Sequence, residues 1–184
     1  MKRNLIIVIF ILFSAVSVWG LNDKKNEKSI EQENANFEEQ KSLFRQNIPP
    51  IAVRFIGISY KLGGNPQQSE TTDNSHLLFS IYSLAAQKAG LSYKEYLPMK
   101  YLLRDIKEVN KNDLKNGDLL VLNDDHTAMV YQVENTGKIH LIYSSEKRQQ
   151  VLSFTSDHVV FHAYWLENLK GFYRLSDTMF APAD

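Results

Sequence analysis

The spacing of apolar residues changes period once along this chain, and that change limits the fold more than any other feature. From Leu77 to Gly90 the spacing is helical. Leu77, Leu78, Ile81, Tyr82, Leu84 and Ala85 form one wide stripe, and Gly90 offers a stop. Asp73 or Ser75 is placed to cap the start. After "KNDLKNGD" the runs become short and strand-like: "LLVL", "TAMVYQV", "IHLIYSS", "VLSFTS", "VVFHAYW" and "GFYRL". Turn residues such as Asn135-Thr136-Gly137 separate them. Helices first and antiparallel strands second predict an α+β domain with the 77–90 helix at its centre. In "VVFHAYW", Val159, Phe161, Ala163 and Trp165 alternate with Val160, His162 and Tyr164, which reads as a strand with His158 and His162 structural. Pro98 opens a second helix through "MKYLLRDIKEV", and "SDTMFAPAD" reads as a loose tail.

The first twenty residues have a different character. Lys2 and Arg3 precede a continuous apolar run from Leu5 to Phe13, the pattern of an export signal or a retained anchor. Residues 21–48 are mostly charged and amide side chains, a polar linker that is partly helical. Pro49 and Pro50 are expected to end any helix and to open a compact domain over 49–184. Cysteine is absent. That removes disulfides, lipid attachment through a cysteine, a thiolate nucleophile and thiolate metal sites. Basic and acidic side chains balance at 21 each, which argues against nucleic acid as a partner. No recognised ligand spacing brings Asp124, Asp125 and His126 together with His76, so neither metal nor cofactor is expected.

Around the 77–90 helix the local words form an ordered series. "YKLGG" (Tyr60 to Gly64) is followed by a polar loop. "DNSH" (Asp73 to His76) opens the helix, and "YLPM" (Tyr96 to Met99) comes after it. "NGDLLVLNDDHTAMVY" (Asn116 to Tyr131) and "IHLIYSS" (Ile139 to Ser145) complete the set. Together they resemble the NlpC/P60 family of papain-like cell-wall hydrolases over roughly residues 51–175. The resemblance implies a papain-like α+β fold, a central N-terminal helix packed on an antiparallel, partly barrel-like sheet. It also implies a cleft that holds cell-wall peptide.

The departures from that family bear directly on activity. Its nucleophilic cysteine corresponds to Asn74, and the glycine two residues on corresponds to His76. The histidine base is matched by His126, though four residues rather than the family's three separate it from Tyr131. The third polar position falls on Tyr143, with His140 as an alternative on the opposite strand face. An amide cannot be deprotonated near neutral pH and does not attack a carbonyl. Ser75 lies about 100° further round the helix, which should carry its hydroxyl away from the imidazole.

These residues imply an exported pseudo-hydrolase. Its degenerate site is Asn74, His126 and Tyr143. Its ligand-binding candidates are Tyr60, Asp73, Asn74, Ser75, His76, Tyr96, His126 and Tyr143. The expected partner is a cell-wall peptide or an envelope protein, with membrane association only through an uncleaved N-terminal segment. The alternatives are a residual peptidoglycan peptidase or amidase with a non-cysteine nucleophile, and a structural envelope protein.

Overall fold

The structure, a computed structural model, describes residues 30–183. By compactness the chain divides into residues 1–39 and 40–184. Of the first unit, 30–39 are described and helical; every contact below lies within the second. The expected export segment, 1–20, lies outside the described residues. Among the described residues no helix is long and apolar enough to cross a membrane.

Helix α1 covers 30–52, so the proline pair does not end it. Proline lacks the N–H that would reach the carbonyl one turn back, which for Pro49 is that of Arg45. A remote side chain takes over, because Asn116 Nδ2 donates to the Arg45 carbonyl at 3.2 Å. The same amide accepts from the Val133 N–H at 2.8 Å. Phe44 and Ile48 are buried, so the folded body begins before the prolines rather than at residue 49. Next to Asn116, Gly117 has φ +91°, and a Cβ there would collide with the Ile48 side chain.

After a 3-10 turn (Val53–Phe55) come β1 (Ser59–Tyr60), β2 (Thr71–Thr72), α2 (Asn74–Lys88), β3 (Leu91–Tyr93) and α3 (Met99–Leu102). Then follow β4 (Ile106–Val109), β5 (Asp118–Leu122), β6 (Thr127–Val133), β7 (Ile139–Ser145) and β8 (Gln150–Thr155). A π-helical turn (Phe161–Leu166), β9 (Leu169–Leu175) and β10 (Phe180–Pro182) complete the chain. The main sheet has the order β2-β1-β8-β7-β6-β5-β9-β4. Its pairs are antiparallel apart from the short β1–β2 pair. This is the expected α+β architecture, a helix packed on a curled, partly barrel-like antiparallel sheet.

All five residues of β5 are buried. Leu120, Leu122, Ala128, Val130 and Leu141 form one cluster with Phe161 and Trp165. Leu119, Val121, Met129 and Ile142 alternate with them and are equally buried, so both faces of the sheet centre are covered. Helix α2 is buried at Leu77, Leu78, Ile81, Tyr82, Ala85 and Ala86, as its stripe requires, and it contacts β7 and β3. Gly90 follows with φ +73°. Asp118 is fully buried beneath Arg174, whose Nε and Nη2 donate to its two oxygens at 2.8 and 2.7 Å.

Three further expectations about elements fail. "VVFHAYW" is no strand: Phe161 and Trp165 are buried four residues apart, close to one π-helical turn, while Val159 and Val160 are exposed. The helix after Pro98 stops at Leu102. Ile106–Val109 instead pairs along β9, where the ladder outweighs local helical spacing. The tail is not loose. Residues 180–182 pair with β3, and the Phe180 ring packs on Phe44 at 4.8 Å and Tyr93 at 5.6 Å.

Candidate functional site

The start of α2 is fixed by its cap. Asp73 has extended backbone, and its Oδ1 accepts from the His76 N–H at 2.8 Å. Its Oδ2 accepts from Gly63 N–H at 2.9 Å. Gly64 lets this loop close on itself, since a Cβ there would lie 2.8 Å from both the Lys61 carbonyl and Thr71 Oγ1. Asp73, not Ser75 or Asn74, is therefore the cap.

Asn74 begins the helix and uses both ends of its amide. Nδ2 donates to the Thr127 carbonyl at 2.7 Å on β6. Oδ1 accepts from the Ser144 N–H at 2.9 Å on β7. Ser144 Oγ in turn donates to the Thr72 carbonyl at 3.0 Å. The residue at the position that the resemblance gives to the nucleophile is thus a strut between the helix start and two strands.

A cleft of about 520 Å³ opens beside this strut. Tyr60, Asp73, Asn74, Ser75, His126 and Tyr143 all line it. His76 and Tyr96 do not. They stack on each other, with ring centroids 4.1 Å apart and planes 16° apart, and His76 Nδ1 lies 3.1 Å from Asp73 Oδ1. The imidazole, at the position that the resemblance gives to a glycine, therefore packs on the flank of α2 instead of filling the cleft. Burial and then the Asp73 charge push the Tyr96 phenol up, against an opposing Ser75 hydrogen bond. At Tyr60, burial followed by the charges of Glu146 and Asp73 has the same effect.

His126 lies at the cleft, but among the described residues it makes no hydrogen bond to Asn74. Its side chain is 66% exposed, and Nδ1 lies 3.1 Å from Asp124 Oδ2. Desolvation raises the Asp124 carboxyl, but the backbone N–H and ring of His126 outweigh it and hold that carboxyl below its ordinary value. The position separated from Tyr131 by three residues is Thr127, and Thr127 is the buried residue bonded to Asn74. The extra residue therefore leaves the imidazole outside the strand, on the turn before it. Among the described residues no hydroxyl hydrogen-bonds to the His126 ring. Ser75 Oγ accepts from Met99 N–H at 3.1 Å, Thr127 Oγ1 donates to the Asp125 carbonyl at 3.0 Å, and Ser145 Oγ accepts from Arg148 N–H at 3.2 Å.

Tyr143 stands edge-on to Trp165, centroids 5.2 Å apart, and to Phe154 at 5.9 Å. His140 is elsewhere, with Nε2 2.6 Å from Glu134 Oε1, a bond that holds the Glu134 carboxyl down. Asp125 pairs with Lys170, and among the described residues no acidic and histidine cluster forms that would hold a metal ion. Sequence reasoning missed Leu62, Val160, Tyr164, Trp165 and the turn Glu146–Arg148, all of which line the cleft. Reading 159–165 as a strand concealed the part it supplies.

No family profile and no curated protein matches the chain by sequence. Solved structures do match it by fold. One is a protein similar to lipoprotein, of the NLP/P60 family, from Staphylococcus aureus subsp. aureus Mu50. It is 20% identical with a TM-score of 0.52, over 72% of this chain and 41% of that one. Another is an NlpC/P60 family protein from Bacillus cereus ATCC 10987. It is 19% identical with a TM-score of 0.51, over 71% of this chain and 40% of that one. The chain spans less than half the length of either. With no cysteine anywhere in the sequence, thiolate attack is closed to this protein. The chain has the fold of NlpC/P60 proteins, with a bridging amide at the place that the resemblance gives to a cysteine.

Proposed function

We propose that this chain is an exported, catalytically silent protein of hydrolase fold. It binds a peptide, a peptidoglycan fragment or a protein partner in its degenerate papain-like cleft. The observation that carries the reading is the Asn74 bridge to Thr127 and Ser144 beside an open cleft lined by tyrosines. Binding needs shape and hydrogen-bonding groups, whereas bond breaking needs an activated nucleophile; the cleft has the first without the second. Residues 1–20 act as the export segment, the polar residues between it and the buried Phe44 as a tether, and the remainder carries the cleft. Tyr60, Asp73, Ser75, His126 and Tyr143 are the contacts expected for a ligand, with His76 and Tyr96 supporting the cleft from behind α2.

The test has two arms on the full-length protein. Incubation with cross-linked cell wall and muropeptides, followed by mass spectrometry for new amines, should give no turnover. Titration with the same muropeptides should perturb Tyr60 and Tyr143 resonances. Turnover that His126→Ala abolishes would establish a residual hydrolase instead. Unchanged resonances in both tyrosines would refute cleft binding.

A further inference from the structure

The cleft has an unbalanced set of polar groups. Trp165 is only 2% exposed, yet it lines the cleft. Its indole N–H donates no hydrogen bond among the described residues, and it is not one of the polar atoms sealed away without a partner. An indole is a donor only, so whatever satisfies it must bring an acceptor. Such a donor is costly to leave unmet once water is displaced. Lys147 and Arg148 line the same cleft, are exposed, and form no ion pair among the described residues.

The cleft also holds two acidic side chains, which differ in how free they are to meet a ligand. The Asp73 carboxylate is already taken by Gly63 N–H and by His76. Glu146 stands against Tyr60, on whose phenol its charge acts. Two free cations therefore face one free carboxylate. The cleft also carries exposed apolar side chains. Leu62 is 81% exposed, and Val160 and Tyr164 are about half exposed beside it in the lining. Apolar side chains clustered at one opening mark a contact surface.

We propose that the cleft takes an acidic peptide. A carboxylate meets the Trp165 N–H and the Lys147–Arg148 turn, and a neighbouring apolar side chain lies against Leu62, Val160 and Tyr164. The inference rests on the cleft-binding reading above and narrows it. Acceptor-only chemistry answers the donor-only indole, and the charge on the acceptor is selected by the two free cations.

The chain has two tryptophans, Trp19 and Trp165, so a Trp19→Phe variant assigns the Trp165 indole N–H resonance in a nitrogen-15 spectrum. The probes are acetyl-Ala-Leu-Glu-amide and its neutral partner acetyl-Ala-Leu-Gln-amide. The Glu peptide should shift the indole resonance saturably and bind about tenfold more tightly at low salt. That margin should close at high salt and in the double variant Lys147→Gln, Arg148→Gln, which alters only exposed side chains. Trp165→Phe, with its fold checked by melting, should lose the affinity as well. Equal binding of both peptides would overturn the charge preference and leave cleft binding standing. If neither peptide moves a cleft resonance but a muropeptide does, the acidic-peptide inference falls alone. Silence with all three ligands overturns both readings.

Discussion

Replacing Asn74 by Ala removes a two-ended strut, and its cost can be worked from the structure. The Thr127 carbonyl loses a donor at 2.7 Å, and the Ser144 N–H loses an acceptor at 2.9 Å. Both residues are buried, at 1% and 7% exposure, so each orphaned group faces a desolvation penalty of about 1–3 kcal/mol. Asn74 lines the cleft, so water entering from that side recovers part of this. A net loss of about 2–3 kcal/mol follows, which for a domain of this size corresponds to roughly 6–10 °C in Tm. Asn74→Asp should be worse than Asn74→Ala. An ionised carboxylate keeps the Ser144 contact but points a second oxygen at the Thr127 carbonyl, where a donor is needed. Thermal melts and urea titrations of the three proteins, with spectra to confirm the native fold, decide the matter. An Asn74→Ala protein that melts within about 1 °C of the parent would refute the strut. So would an Asn74→Asp protein more stable than the Ala variant.

Asn74→Cys should not hydrolyse muropeptides, because a thiol there would face the Thr127 carbonyl while the His126 ring pairs with Asp124; product formation at the rate of an active relative would contradict this. Phe180→Ala should cost about 2 kcal/mol in urea, since that ring joins the last strand to Phe44 and Tyr93; an unchanged midpoint would mean the tail is not part of the core. Asp157 is held down to about 2 by the Thr155 hydroxyl and then Lys138. Its folded value is depressed, so its contribution to stability is present above the ordinary carboxylate value of about 3.9 and is lost as pH falls through about 2. Thr155→Val should move the Asp157 titration, read by carbon-13 NMR, up toward the ordinary value, and a titration that stays near 2 would remove the hydroxyl as the cause.

The parts of the fold that could be read in advance were those where one unbroken apolar run or stripe matches one element. The words "TAMVYQV" and "IHLIYSS" coincide with β6 and β7, because each lies in a sheet covered on both faces. The stripe from Leu77 gave α2 for the same reason. Phe161 and Trp165 misled because a spacing of four fits both strand alternation and a π-helical turn; only Val159 and Val160, exposed where a core strand would bury them, separate the two. Ile106–Val109 had helical neighbours, and its strand state depends on the β9 edge, which lies more than sixty residues away in sequence. At the site, composition alone identified the missing thiol. It could not reveal that Asn74 has two backbone partners, since both are main-chain groups that any residue would supply. The placement of His126 turned on one residue of spacing, whose effect becomes visible only where Thr127 takes the first position of the strand.

The Arg45 carbonyl, stranded by Pro49, waits for an amide 71 positions later in the chain. The final turns of α1 are therefore incomplete as a local structure, however helical their neighbours. They gain a full complement of partners only after the segment that leads into β5 has docked. Synthesis delivers α1 early, but this carbonyl meets its partner only once the segment that carries Asn116 has been made and has docked.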